Sequence, residues 1–352
     1  MLIDDIPAAP LAVFRRGCVI PAHPLALDDQ RALDPRHQRA LTRYYLDAGA
    51  GGLAVGVHTT QFAIREAGLY EPVLRLAAAE AGSWGDHTPF MVAGVVGKTA
   101  QACTEAQIAR GLGYHAALLG LAALGDASEA ELIAHCRAVA DIMPIVGFYL
   151  QSAVGGRDLS FGFWREFARI ENVVGIKMAP FNRYKTLDVV RAVAAAGVGA
   201  RVTLYTGNDD HIIGDLLTRF RVETDGAPGF VRIRGGLLGH WSVWTQKAVE
   251  LVGEIADLPG DGPIERNWWG RDAAVTDSNA AFFDAANNFT GVIAGLHEVL
   301  RRQGLMKNIL CLDPNEGLGP GQMAEIDRVY RAYPELNDDA FVRAHLDRWL
   351  GG

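Results

Sequence analysis

The sequence predicts an α/β protein of the (β/α)8 TIM-barrel type with a helical C-terminal extension, and three observations predict it. Short apolar runs alternate with longer amphipathic segments from about residue 12 to residue 255, the sign of repeated strand-helix units around a parallel sheet. Most of these runs lack the in-out alternation of half-exposed strands, as expected where both faces are covered. The first strand-helix junction has no Gly-x-Gly-x-x-Gly turn, and no Gly-x-x-x-x-Gly-Lys loop occurs, so an open doubly wound nucleotide-binding sheet is the weaker rival.

Eight strands are expected, at Val13 to Ile20, Gly52 to Val57, Phe90 to Val95, Ala116 to Leu121, Ile145 to Leu150, Val173 to Lys177, Val202 to Gly207 and Gly229 to Ile233. Between them, Asp34 to Ala48 opens on an acidic cap and ends at Gly49, and Thr99 to Leu112 closes at Gly113. Ser128 to Asp141 begins with a capping-box spelling, Ser128 and Glu131. Further helices follow at Phe161 to Ile170, Tyr184 to Ala196, Asp210 to Arg219 and Leu238 to Ala256. The barrel domain is therefore drawn over residues 1–256. Pro259, Gly260, Gly262 and Pro263 then form a loop, and residues 257–352 form the extension. Its aromatic residues, Trp268, Trp269, Phe282, Phe283 and Phe289, require burial against the barrel or a neighbouring subunit, or else act as a substrate lid.

With 352 residues, 49% of them hydrophobic, the chain has ample material for a core, which excludes disorder. A net charge of -8 offers no basic footprint for nucleic acid or anionic membrane and leaves a small molecule as the expected ligand. The longest apolar stretch, Gly111 to Gly125, is too short for a membrane span and contains Tyr114 and His115. The start, Met1-Leu2-Ile3-Asp4-Asp5, is acidic where a signal peptide is basic. Cys18, Cys103, Cys136 and Cys311 are scattered with no Cys-x-x-Cys pair, so neither a disulfide framework nor a zinc knuckle is expected, and a reducing cytoplasm is the expected location.

In a barrel, reactive groups lie at the carboxyl ends of strands. There the sequence places His58, Thr59 and Thr60, Tyr149, Lys177, and Asn208 to Asp210. Lys177 stands out because lysine occurs at only five positions in a chain whose cations are mostly arginine. It closes an apolar strand, where desolvation disfavours the ammonium and leaves a neutral, nucleophilic amine. Such a lysine forms an imine with a ketone or aldehyde, an electron sink for making or breaking the adjacent carbon-carbon bond. The competing reading is a lysine that snorkels to water or pairs with an acid.

Gly175-Ile176-Lys177, preceded by Glu171-Asn172-Val173-Val174, resembles the Schiff-base strand of the dihydrodipicolinate synthase and N-acetylneuraminate lyase family of pyruvate-type class I aldolases. Tyr149 stands at the interval from Lys177 of that family's fifth-strand tyrosine, with Gly156, Asp158 and Leu159 agreeing between them. Thr59-Thr60 resembles the family's paired hydroxyls after strand two, and Thr206-Gly207-Asn208-Asp209 its glycine-acid turn after strand seven. The resemblance spans about residues 12 to 255. It implies imine formation by Lys177 with no other cofactor, proton transfer by Tyr149, donors to a keto-acid carboxylate from Thr59 and Thr60, and contacts from His58 and Gly207. It also implies keto-acid and aldehyde substrates and assembly as a homodimer or homotetramer. Without it, Tyr149 reads as a core aromatic and the threonines as helix-start caps.

The departures are as informative. His58 replaces the family's first glycine, Gln61 the second and Phe62 the glutamate. Leu121-Ala122-Ala123-Leu124 carries no second tyrosine after strand four, and Ser152-Ala153-Val154 lacks the arginine that a dihydrodipicolinate synthase directs at its aldehyde substrate, Arg157 being the nearest. His58, and more weakly His23, are candidates to move a proton at the pocket mouth, against a packing role. Asn208-Asp209-Asp210-His211 reads as helix capping rather than a metal site. Gly235 and Gly236, after the eighth expected strand, let backbone approach a ligand or make a turn. The expected activity is a Schiff-base lyase or synthase acting next to a 2-keto acid such as pyruvate. The alternatives are dihydrodipicolinate synthase itself, a barrel that binds keto acids without turnover, and a metal-dependent aldolase.

Overall fold

The computed structural model describes residues 1–85, 88–152, 155–224, 227–260 and 262–351. An N-terminal helix, α1 (Ala8–Arg16), precedes strand β1 (Val19–Pro21), helix α2 (Pro35–Asp47) and strand β2 (Gly52–Val55). Helix α3 (Tyr70–Ser83), strand β3 (Phe90–Val95), helix α4 (Thr99–Gly111), strand β4 (Ala116–Leu119), helix α5 (Glu129–Ala140) and strand β5 (Ile145–Leu150) continue the alternation. Then come α6 (Phe161–Ala168), β6 (Val173–Ala179), α7 (Arg183–Ala195), β7 (Thr203–Thr206) and α8 (Ile212–Leu217). An antiparallel hairpin of β8 (Arg219–Thr224) and β9 (Ala227–Arg232) leads into the last barrel strand, β10 (Gly235–Leu238), and helix α9 (Thr245–Ala256).

The parallel sheet runs β1-β10-β7-β6-β5-β4-β3-β2. A parallel bridge from Ala22 to Ala54 joins its two ends, with the amide of His23 donating to the carbonyl of Ala54 at 2.8 Å. The chain is thus a (β/α)8 barrel with additional C-terminal helices. Alternate side chains along each strand divide the core in two. Ile20, Val92, Ala116, Leu118, Val146, Phe148, Val174 and Leu237 fill the barrel, and a larger apolar layer lies between strands and helices. No helix among the described residues is long and apolar enough to cross a membrane.

Two expected strands are corrected. Val13 to Ile20 divides into the end of α1 and the short β1, because Pro10, Leu11 and Phe14 form one buried helical face. Phe14 plugs the amino end of the barrel, stacking on Phe90 at 4.2 Å and on Tyr205 at 4.6 Å between ring centroids. Gly17 makes the sharp exit from α1, since its φ of 100° and a Cβ position only 2.0 Å from the carbonyl oxygen of Arg234 exclude any side chain. Gly229 to Ile233 belongs mostly to β9, which lies outside the barrel, and the eighth barrel strand is the glycine pair itself with Leu237 and Leu238. Two glycines are tolerated in this buried strand because Trp241 occupies the space above Gly236 and Cys18 and Tyr205 press on Gly235. Helix α3 is also absent from the sequence-based elements.

The extension comprises α10 (Asn267–Phe282), α11 (Val292–Arg302), α12 (Gln322–Ala332) and α13 (Asp339–Leu350). Helix α13 lies on α2, with the fully buried Trp349 ring 5.5 Å from that of Tyr44. The Trp349 indole N–H donates to Asp47 at 2.6 Å and its carbonyl accepts from Arg43 at 2.8 Å, while the Tyr44 hydroxyl donates to Asp338 at 2.7 Å. Trp349→Ala is therefore expected to lower unfolding free energy by about 3–5 kcal/mol in urea titration, the range for emptying a large aromatic site.

Candidate active site

Lys177 lies inside the carboxyl end of the barrel, 8% exposed, in register with Phe148 on the neighbouring strand. It projects into a chamber of about 60 Å3 shared with His58, Thr59, Phe148, Gln151, Gly207 and Asp209. Gly207 is required by the lysine, because a Cβ there would stand 2.5 Å from Lys177 Cε. The Nζ lies 4.4 Å from the centre of the Phe148 ring and makes no hydrogen bond or 4 Å ion pair with another described residue. Burial therefore holds its ammonium below the usual lysine range, and the nearby Asp209 only partly opposes this.

Asp209 is the acid that faces this amine. Its loop is built by the buried Asp215, which accepts from Thr206 Oγ1 at 2.6 Å and Asn208 Nδ2 at 2.9 Å and pairs with Arg183. The backbone N–H of His240 donates to Asp209 Oδ1 at 3.0 Å. Burial raises the Asp209 carboxyl above the usual carboxylate range against the lowering effects of that bond and of Lys177. The capping role expected for this segment is not found: the residue preceding α8 is His211, and it makes no capping bond with its side chain. Among the described residues, no cluster of three His, Cys, Asp or Glu side chains has a metal-binding arrangement.

The structure distributes the other expected site residues differently. His58 lines the chamber, and burial, then the charge of Lys177, depress its imidazole to about 4, so it is neutral at pH 7. Thr59 Oγ1 donates to the carbonyl of Ala22 at 2.7 Å, and Thr60 Oγ1 donates to that of His23 at 2.6 Å while accepting from Gly56 N at 2.9 Å. These hydroxyls staple the loop after β2 to the end of β1. Thr59 still borders the chamber, whereas Thr60 does not. His23 is buried against Thr42, Gln38 and the Pro24 carbonyl, a packing role.

Tyr149 is turned the other way. Strand alternation sends Phe148 inward and Tyr149 into the helix layer, where its ring lies 5.1 Å from that of Trp164. Its hydroxyl bonds both the amide and the carbonyl of Leu159 at 3.3 Å, so it has no path to Lys177. Gly235 is also corrected: it starts β10 against Cys18, at the opposite end of the strand from the chamber, and Gly239 after β10 takes the place at the rim. Arg157 donates to the carbonyls of Leu124 and Ala127, both at 2.9 Å, and Ala153 and Val154 lie outside the described residues.

Two parts of the site escape sequence reasoning: the inward Phe148, legible only from strand register, and Asp209, which reads as a helix cap. The extension covers the chamber with Phe283, Phe289 and Val292, in line with the lid alternative, and it buries Trp268 while leaving Trp269 exposed. A second cavity of about 720 Å3 adjoins it across Val57, His58, Phe148 and Leu150, over the ends of β2 to β5.

The model of the dihydrodipicolinate synthetase family matches residues 16–220. Among solved structures, the fold is similar to a dihydrodipicolinate synthase from Oceanobacillus iheyensis at a TM-score of 0.72 and 17% identity, covering 92% of this chain and 98% of that one. It is also similar to an N-acetylneuraminate lyase from Fusobacterium nucleatum (TM-score 0.70, 13% identity, 91% and 99% covered). A third likeness is to a prophage protein of the dihydrodipicolinic acid synthase family from E. coli K12, solved with pyruvate (TM-score 0.69, 19% identity, 90% and 97% covered). No curated protein sequence matches the chain.

Tyr149→Phe is expected to cost about 1 kcal/mol of stability through the lost Leu159 bonds, measured by urea unfolding. The rate of borohydride trapping of pyruvate on Lys177 should remain within about twofold of wild type, whereas a proton-shuttling phenol would be worth ~10²-fold or more.

Proposed function

The chain belongs to the dihydrodipicolinate synthetase family, and from that membership we propose that it is a class I lyase or synthase using Lys177 to form an imine with a short 2-keto acid such as pyruvate. The observation that carries this reading is one amine, buried, unpaired among the described residues and held below the usual lysine range at the carboxyl end of the barrel. As an iminium nitrogen it accepts the electron pair of the adjacent carbon-carbon bond, so no further cofactor is called for. The chamber suits a molecule of a few heavy atoms, since one water needs about 10–15 Å3 of such space. With the threonine hydroxyls bonded to backbone, the carboxamide of Gln151 and the imidazole N–H of His58 on the chamber wall are the neutral side-chain donors that remain for the keto-acid carboxylate.

The larger cavity supports a further reading, of the aldehyde partner. Its wall is mainly apolar, including Phe62, Val96, Leu118, Leu121, Leu150 and Leu159. Its arginines are engaged: Arg65 is paired with Glu105 and bonded to the carbonyls of Gly56 and Gly94, and Arg157 holds two carbonyls. Leaving those bonds to meet a substrate carboxylate would orphan buried acceptors. An uncharged apolar substituent fits this wall better than the charged aldehyde of dihydrodipicolinate synthase. The family resemblance also supports assembly into two or four copies.

Borohydride reduction with pyruvate should leave a pyruvate-sized mass increment on Lys177, absent in Lys177→Ala, by intact-mass and peptide analysis. On the acid side its rate should rise with pH through a midpoint below that of an ordinary lysine, because only the neutral amine attacks and burial lowers the pKa. No adduct with pyruvate or other 2-keto acids would overturn the reading. Ala122→Trp, on the wall of the larger cavity, should lower kcat/KM for condensation of pyruvate with bulky apolar aldehydes by about tenfold. The same variant should leave the rate of pyruvate trapping unchanged.

A further inference from the structure

With Tyr149 turned into the helix layer and both threonine hydroxyls bonded to backbone carbonyls, the Lys177 chamber has no phenol to carry protons. Among the described residues, the titratable side chains lining it besides the lysine are His58 and Asp209. We propose that Asp209 is the proton carrier of the imine reaction, giving a proton to the carbonyl oxygen and accepting the one that Nζ releases. This rests on the reading of Lys177 as the imine-forming residue.

The geometry that carries it is the pairing of strands. Lys177 lies on the inward face of β6, ahead of Ala179, and Asp209 follows the adjacent β7, so both line one chamber. Asp209 is held there by the His240 amide on Oδ1 and by the Asp215 network beneath its loop. Nζ and the Asp209 carboxylate line the same chamber without an ion pair within 4 Å, so no direct salt bridge occupies either group. His58 faces the same volume but also borders the larger cavity, and its imidazole is neutral at pH 7, so it lacks the second ring proton that an imidazolium would donate.

The step balances as follows. The Nζ lone pair forms the bond to the carbonyl carbon, the carbonyl π pair moves to oxygen, and that oxygen takes the proton of the Asp209 carboxyl. The carboxylate then removes one proton from the ammonium nitrogen of the adduct, giving the neutral carbinolamine. Asp209 returns that proton to the hydroxyl, the carbon-oxygen bond breaks, the nitrogen pair forms the C=N bond, and water leaves. The products are an iminium ion, water and an Asp209 carboxylate lying beside the new positive charge. Burial favours this cycle from both sides, keeping the carboxyl protonated and the amine neutral closer to neutral pH than free side chains would be. The other charged or titratable groups around Asp209 are His240, depressed to about 4 by burial, His58 and the exposed Asp210, so Lys177 dominates its surroundings.

The test is the rate of pyruvate adduct formation on Lys177, read by quenched-time mass spectrometry after borohydride, as a function of pH. Wild type should give a bell-shaped profile, limited below by protonation of Lys177 and above by ionisation of Asp209. Asp209→Asn, which keeps the acceptor for His240, should be slower by about 10²-fold, the lower end of the range for general acid-base groups, with the upper limb lost. Asp209→Ala should recover at least tenfold on addition of formate, and Asp209→Glu should retain a bell. An Asp209→Asn enzyme with wild-type rate and profile overturns the proposal. So does a slow Asp209→Ala enzyme, folded by circular dichroism, that formate does not accelerate, because the residue then acts by structure alone. No adduct in wild type would instead overturn the Lys177 reading, a separate failure that is visible before any Asp209 variant is made.

Discussion

A primary amine kept out of water is the constraint around which this molecule is arranged. A lysine side chain is stable as an ammonium when solvated, so burying it opposes the charge unless a partner restores it. Here the partner is incomplete: Phe148 covers one side at cation-π distance, and Asp209 shares the chamber without closing an ion pair. A close ion pair would hold the nitrogen protonated and unreactive. Burial instead displaces both groups from their ordinary ionisation ranges in opposite directions, and their mutual attraction only partly opposes it.

Much of the surrounding structure serves to shape that small chamber and hold its walls. Gly207 removes the one side chain that would collide with the lysine stem. The threonine staple fixes the loop carrying His58, and the Asp215 network fixes the loop carrying Asp209. The extension roofs the space with Phe283 and Phe289, while α13 anchors itself to α2 through Trp349 and Asp338. Gln61 extends the link, since its carboxamide oxygen accepts from the Leu312 amide at 2.7 Å and so ties the loop after β2 directly to the C-terminal chain.

The two cavities divide the chemistry. The lysine chamber is sized for a few heavy atoms and holds the polar, reactive groups, while the adjoining volume is wide and apolar with its cations already bonded. On the proposed reading, discrimination between aldehydes depends on the second volume, because an apolar wall rejects a charged substituent through desolvation more strongly than it ranks apolar ones.

The sequence by itself determined the barrel, most strand positions and the burial of Lys177 at the carboxyl end of an apolar strand. Alternating strand and helix patterns and a lone lysine ending an apolar run are local features, and each reports directly on burial at its own position. It did not determine the first and last barrel strands. The run from Val13 suits a helix face and a buried strand equally, and a Gly-Gly pair reads as a turn until Trp241, Cys18 and Tyr205 are seen to fill the missing side-chain volume. The identity of the lysine's neighbours was likewise a tertiary decision. Which of Phe148 and Tyr149 points inward depends on the register of β5 against β6, and a one-residue change of phase exchanges the faces. Interval counting along the chain cannot detect that phase. Asp209 became the facing acid, and the extension became the roof, only when closure of the sheet brought β7, β10 and residues near 283 to 292 over the same end of the barrel.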